Sequence, residues 1–143
     1  VNEKERKTMK KRGILNSDIA KILVDLGHTD KICIADAGLP VPNGVKKIDL
    51  ALKKGLPSFI DTLKTVLDDM WIEKIYLANE IKDHNVNVLN EVLGLVDGVS
   101  TTFISHEDFK ELTKDCKVVI RTGEMTPYAN VILQSNVNFS DEV

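Results

Sequence analysis

The chain predicts a three-layer α/β/α protein built on a central, mostly parallel or mixed sheet. Helix-period and strand-period segments alternate along its length. A chain of 143 residues suits one core, and no internal repeat, low-complexity tract or linker divides it. The elements follow in order. Asn16-Ser17-Asp18 offers an N-cap, and Ile19, Ile22, Leu23 and Leu26 recur at helical spacing until Gly27 stops the helix. Lys31 to Ala35 is a short apolar strand ending on Asp36. Lys46 to Leu52 alternates, with Ile48, Leu50 and Leu52 on one face, as a half-buried strand does. Pro57 suits a first helical turn, and the stripe Phe59, Ile60, Leu63, Val66, Leu67 and Met70 predicts the longest helix. Glu73 to Ala78 reads as a strand, Asp83 to Leu93 as a helix, and the β-branched run Val99 to Ile104 as a strand. Ser105-His106-Glu107-Asp108 is a capped helix start with Phe109 and Leu112 inward. Lys117 to Arg121 is a strand, and a loop through Thr122 and Pro127 leads to a last strand at Val131 to Leu133.

Composition narrows the function classes. Apolar residues make up 43% and charged residues 29%, as in ordinary globular proteins, and the net charge is -3. Such a balance carries no basic footprint for nucleic acid, and no apolar run reaches the length of a membrane span. Residues 1–8 are polar and charged without an apolar segment. They are expected to be a disordered extension ahead of Met9 rather than a secretory signal, leaving one domain over 9–143. Ser140 to Val143 is expected to fray. Cys33 and Cys116 lie far apart without a C-x-x-C and read as buried packing thiols suited to a reducing cytosol.

The α/β pattern invites a nucleotide site, yet neither G-x-G-x-x-G nor G-x-x-x-x-G-K-[ST] occurs. There is no G-x-S-x-G elbow, and no histidine pair or acidic cluster has metal-ligand spacing. Attention falls on the histidines. His28, between a helix stop and a strand, is either a helix-capping cation or an acid/base group titrating near neutral pH. His84, beside Asp83 and Asn85, reads as a solvated polar residue, and His106 as a helix-start surface residue. Asp36 ends a strand, where ligands gather in open α/β sheets, but a turn aspartate fits equally. Tyr128 and Asn130, two apart on extended chain, project to one side and could share a polyhydroxy ligand or be an edge-strand pair.

Several ordered segments together carry a resemblance. They are Lys10-Lys11-Arg12-Gly13-Ile14-Leu15-Asn16, Gly27-His28-Thr29-Asp30 and Asp36-Ala37-Gly38-Leu39-Pro40-Val41-Pro42, then Arg121-Thr122-Gly123-Glu124 and Pro127-Tyr128-Ala129-Asn130-Val131-Ile132-Leu133. From Met9 to about Phe139 the chain resembles the RbsD/FucU family of sugar mutarotases. The resemblance implies an RbsD-like fold and a cofactor-free isomerase with a general acid/base at His28. It implies sugar-binding roles for Asp36, His106, Tyr128 and Asn130. It also implies a cytoplasmic homo-oligomer, typically a decamer of two stacked pentameric rings, that interconverts the β-pyranose and β-furanose forms of D-ribose. Fucose mutarotases tend to read Gly-His-Gly-Asp and Asp-Ala-Asn-Phe-Pro where this chain has Thr29 and Gly38-Leu39-Pro40, so ribose is the expected sugar. The alternatives are a mutarotase for fucose or another aldose, and a non-catalytic sugar-binding subunit.

One consequence is geometric. His28 precedes the strand and Asp36 follows it, eight residues on. At about 3.3 Å per residue roughly 25 Å could part them, more than a side chain spans. A site using both is therefore expected to be composite, with His28 of one chain facing the other four residues of a neighbour.

Overall fold

The structure, a computed structural model, describes residues 9–137. The expected extension at 1–8 and the frayed tail at 140–143 lie outside the described residues. Helix α1 (Ser17–Asp25) begins where the Asn16 side chain accepts the Ile19 N–H at 3.0 Å. It ends on Leu26 in extended conformation, so the stop is not a left-handed glycine. Strand β1 (Lys31–Ala35) follows as expected.

Strand β2 is shorter than its alternation predicts, Lys46–Asp49. The Asp49 carboxylate accepts the Ala51 N–H, and the Lys53–Leu56 bridge folds the chain back, leaving Leu52 77% exposed. Helix α2 (Phe59–Leu67) is capped by Ser58, so Pro57 precedes the cap and Met70 lies beyond the last turn. Strand β3 (Ile72–Ala78) is followed by two helices where one was predicted, α3 (Ile81–His84) and α4 (Val86–Leu95). They break at Asn85, whose side chain donates to Thr126 Oγ1 and the Pro127 carbonyl, both at 2.9 Å. That partner lies some forty residues away, so local periodicity could not reveal the break.

Strand β4 (Ser100–Ile104) leads into α5 (His106–Leu112), where Ser105 Oγ accepts the Asp108 N–H at 3.1 Å. A 3-10 turn at Thr113–Asp115 precedes β5 (Val118–Arg121), and β6 (Val131–Ser135) closes the sheet.

The sheet is mixed, in the order β2-β5-β1-β6-β3-β4. β2 pairs with β5, β5 with β1 and β3 with β4 in parallel, while β6 runs antiparallel between β1 and β3. Period-2 alternation gives the sheet two buried faces. Ile32, Ile34, Val118, Ile120, Val131 and Leu133 meet Phe59, Leu63 and Val92 on the face covered by α1, α2 and α4. Cys33, Ala35, Val119 and Ile132 meet Phe109 and Cys116 on the other face. Burial of Phe59 and Phe109 contributes about 1.5–3 kcal/mol each. Among the described residues no helix is long and apolar enough to cross a membrane.

The topology sorts the chain's chemistry to two ends. β1, β3, β4 and β5 finish at one end of the sheet, where β6 begins, so Asp36, Glu80, His106, Thr122 and Asn130 all lie there. At the opposite end β1 and β3 begin and β6 finishes, which brings His28, Glu73 and Gln134 together.

Candidate active site

Asp36 leaves β1 into a tight turn in which its Oδ1 accepts the Gly38 and Leu39 N–H groups at 3.0 and 2.9 Å. Its backbone N–H donates to Asn130 Oδ1 at 2.8 Å, and Asn130 Nδ2 donates to Asp36 Oδ2 at 3.3 Å. The turn-capping and site readings of Asp36 therefore coincide: one residue closes the loop and presents its carboxylate at the strand end. Burial raises the Asp36 pKa above its ordinary value, against the lowering pull of the Gly38, Leu39 and Asn130 hydrogen bonds and of His106. Asn130 is wholly buried, and its amide is engaged with Asp36.

Tyr128 departs from the extended chain predicted for it. Its φ is +57°, and the Asn130 N–H donates back to the Tyr128 carbonyl at 2.9 Å. Alternation thus does not bring Tyr128 and Asn130 together; a left-handed turn does, of the strained kind that clusters at functional sites. The Tyr128 ring meets His106 edge-on, with centroids 5.0 Å apart, and the tilted His84 ring at 5.5 Å.

His106 is not the surface residue its helix-start position suggests. It is half-buried, its N–H donates to both Glu80 carboxylate oxygens at 3.0 and 3.1 Å, and its buried Nδ1 has no partner among the described residues. An unsatisfied buried polar atom is costly and calls for an explanation. A hydroxyl donated by a ligand would satisfy it.

Sequence reasoning missed the supports of this cluster. Thr122 donates twice to the Ala35 carbonyl, the Ala37 N–H donates to the Glu124 carbonyl, and Arg121 Nε donates to the Ala37 carbonyl. Glu124 Oε1 accepts the Phe59 N–H at 3.0 Å and Oε2 the Thr126 hydroxyl at 2.7 Å. Glu80 and Asn85 buttress His106 and the Tyr128 loop, and His84, exposed as expected, borders Tyr128. Only Arg121 to Glu124 carried a sequence signal, as part of a conspicuous segment after a strand. A cleft of about 420 Å³ opens beside the Asp36 loop, its walls formed by Ala37, Gly38, Lys53 and Arg121 among others rather than by the four-residue cluster.

His28 stands apart from this cluster, at the other end of β1, whose five residues span roughly 16 Å at about 3.3 Å per residue. It is exposed, and its Nε2 lies 2.6 Å from Glu73 Oε1, so it pairs with a strand carboxylate rather than capping α1. Hydrogen bonds from His28 and then Gln134 hold the Glu73 carboxyl below its ordinary range.

Within one chain, then, the structure gathers four polar groups suited to hydroxyl-rich ligands and sets an accessible imidazole at the opposite end. The sequence pattern of the RbsD / FucU transport protein family matches residues 9–138. A D-ribose pyranase of Bacillus subtilis is 60% identical over 131 residues, covering 92% of this chain and 100% of that protein. The structure of Bacillus subtilis RbsD complexed with D-ribose superposes with a TM-score of 0.90 at 60% identity, over 92% of this chain and 100% of that one. A fucose mutarotase from Streptococcus pneumoniae in complex with L-fucose gives a TM-score of 0.74 at 25% identity, over 87% of this chain and 94% of that one.

Proposed function

The chain belongs to the RbsD/FucU transport protein family, and we propose that it is an isomerase interconverting the β-pyranose and β-furanose forms of D-ribose. The observation that carries this reading is the likeness to the ribose-bound Bacillus subtilis structure, over 92% of this chain and 100% of that one. The fucose-bound relative is far more distant, which favours ribose over fucose.

The chemistry needs little equipment. Opening the pyranose requires a proton to reach the ring oxygen and another to leave the anomeric hydroxyl. The C4 hydroxyl then adds to the freed aldehyde, giving the furanose. Each direction is served by a group that can both give and take a proton, and an imidazole as accessible as that of His28 has the chemistry for both. General acid/base help of this kind contributes roughly 10²–10⁴ in rate. In this reading Asp36, His106, Tyr128 and Asn130 bind the sugar hydroxyls. The Asp36 carboxylate accepts from them, and His106 Nδ1, which has no partner among the described residues, accepts another.

The proposal requires assembly. His28 and the four binding residues lie at opposite ends of one sheet, so the working site is shared, with His28 entering from a neighbouring chain. The proposed assembly is a homodecamer of two stacked pentameric rings. Its proposed setting is the cytoplasm, which suits the free, buried thiols of Cys33 and Cys116.

Saturation-transfer NMR between ribose anomeric signals tests the activity. Wild type is expected to accelerate pyranose–furanose exchange and His28→Ala to lose it. Ribose binding without accelerated exchange would instead identify a non-catalytic sugar-binding subunit, and faster exchange of fucose than ribose would reassign the substrate. Mixing His28→Ala with Asp36→Asn chains tests the shared site. About a quarter of sites in random mixed rings would hold both intact halves, so activity should return. No recovery from parents that both assemble normally would sink the shared site.

A further inference from the structure

Polar side chains form a continuous chain from His28 across the middle of the sheet. His28 Nε2 pairs with Glu73 Oε1 at 2.6 Å, Gln134 Nε2 donates to Glu73 Oε2 at 2.7 Å, and the Tyr76 hydroxyl donates to Gln134 Oε1 at 3.1 Å. Both carboxylate oxygens of Glu73 are thereby committed, and its orientation is set by strand β6. Glu73 also occupies a backbone irregularity. Ile72 pairs with Ser135 and Lys74 with Gln134, the next residue along, so Glu73 is the extra residue of a β-bulge. Bulges re-aim side chains and are over-represented beside active sites. The His28 turn is tied to the same stretch of β6. The Thr29 N–H donates to the Ser135 carbonyl at 3.0 Å, and the Ser135 N–H donates to the Asp30 carbonyl at 2.8 Å.

We propose that Glu73 is the positioning residue of His28, holding the imidazole proton on Nε2 so that Nδ1 keeps the lone pair that meets the sugar. The inference rests on the acid/base reading of His28 and names which nitrogen acts. A neutral imidazole carries one N–H, and an acceptor fixed on Nε2 selects the tautomer. Nδ1 then takes the proton of the anomeric hydroxyl as the bond between C1 and the ring oxygen breaks, and the resulting imidazolium is held by the Glu73 carboxylate. That same proton then passes from Nδ1 to the ring oxygen, restoring the neutral imidazole, so atoms and charge balance and Glu73 stays an anion throughout. Gln134 and Tyr76 keep Glu73 aimed and touch no substrate.

The experiment pairs ribose exchange kinetics with ring ¹⁵N spectra of His28 in histidine-labelled protein, for wild type, Glu73→Gln, Glu73→Ala and Glu73→Asp. In wild type the neutral His28 ring is expected to carry its proton on Nε2. Glu73→Ala should yield a mixture of tautomers and lower kcat by about 10- to 100-fold, part of the full acid/base contribution, with KM within about twofold. Glu73→Asp should recover part of kcat and of the Nε2–H signal, which a merely structural role would not give. A wild-type ring protonated on Nδ1, or Glu73→Ala with unchanged tautomer and kcat, would overturn the proposal. If Glu73→Ala fails to assemble, the isosteric Glu73→Gln is judged by the same two readouts. The spectra need no sugar: a wild type that accelerates no exchange would end the isomerase reading, while the tautomer would still decide what Glu73 does.

Discussion

Thr29 sits at φ +73°, inside a four-residue turn closed by the Asp30 N–H donating to the Gly27 carbonyl at 3.2 Å. A β-branched residue rarely adopts that conformation, and fucose mutarotases tend to carry glycine there. The position thus has a backbone demand of its own, separate from any sugar preference. Thr29→Gly is expected to relieve strain and stabilise the fold by about 0.5–1 kcal/mol, after the greater freedom of glycine in the unfolded chain offsets part of the gain. Thermal unfolding of the two proteins measures it, and a lower midpoint for the glycine variant would refute it. Asp36 makes a second prediction at this scale. Burial raises its folded pKa above the ordinary 3.8, so the folded state binds the proton more tightly than the unfolded one. Its contribution is therefore fully present below pH 3.8 and is lost as pH rises through the folded value. Against Asp36→Asn, which has no such titration, the wild-type denaturation midpoint should fall progressively over that rise. A difference independent of pH would contradict the burial argument.

Among the elements, the loop from Thr122 to Asn130 decides whether the polar cluster forms. It is strapped to the end of β1, to the start of α2 and to Asn85 between α3 and α4. Its tightest seat is Gly123, where an added Cβ would lie 2.5–2.6 Å from Lys53 O, Leu56 N and Leu56 O. Those are backbone atoms and cannot rotate aside. Gly123→Ala is expected to cost about 1–3 kcal/mol and, under the proposed site, to weaken ribose binding through displacement of Tyr128. Gly94→Ala, in α4 with nothing within 4 Å, is the control and should be neutral or stabilising by up to about 1 kcal/mol. Calorimetry on both variants checks the contrast. The core elements were readable from the sequence because each carries its own cap or alternation: Asn16 and Ser105 accept backbone N–H groups as expected, and α2 was legible from its apolar stripe although its cap is Ser58, one residue past Pro57. The Asn85 break, the early end of β2 and the left-handed Tyr128 were not readable. Each answers to a contact with a distant segment, or to a turn whose residues state no preference for it.

At the scale of the molecule, the antiparallel β6 joins two parallel halves and reaches both ends of the proposed shared site, Asn130 preceding it and Gln134 near its finish. No single protomer brings those ends together. Under the shared-site proposal, activity per chain should fall on dilution in step with dissociation of the assembly, because the site and the contact are one object. Exchange rates set beside sedimentation velocity across concentration would test this. A protomer that keeps full activity after dissociating would exclude it. The sequence by itself determined the layered α/β class, the N-terminal caps of α1 and α5 and the ends of β1, since these depend on local spacing, turn chemistry and hydrophobic period. Its ordered motifs also held Asp36, Tyr128 and Asn130 of the proposed sugar site, whereas His106 lay outside them and entered only through the family resemblance. Tertiary structure alone decided that Asp36, His106, Tyr128 and Asn130 converge while His28 turns to Glu73. Those distances are set by strand order and by a bulge, which no local window of residues encodes.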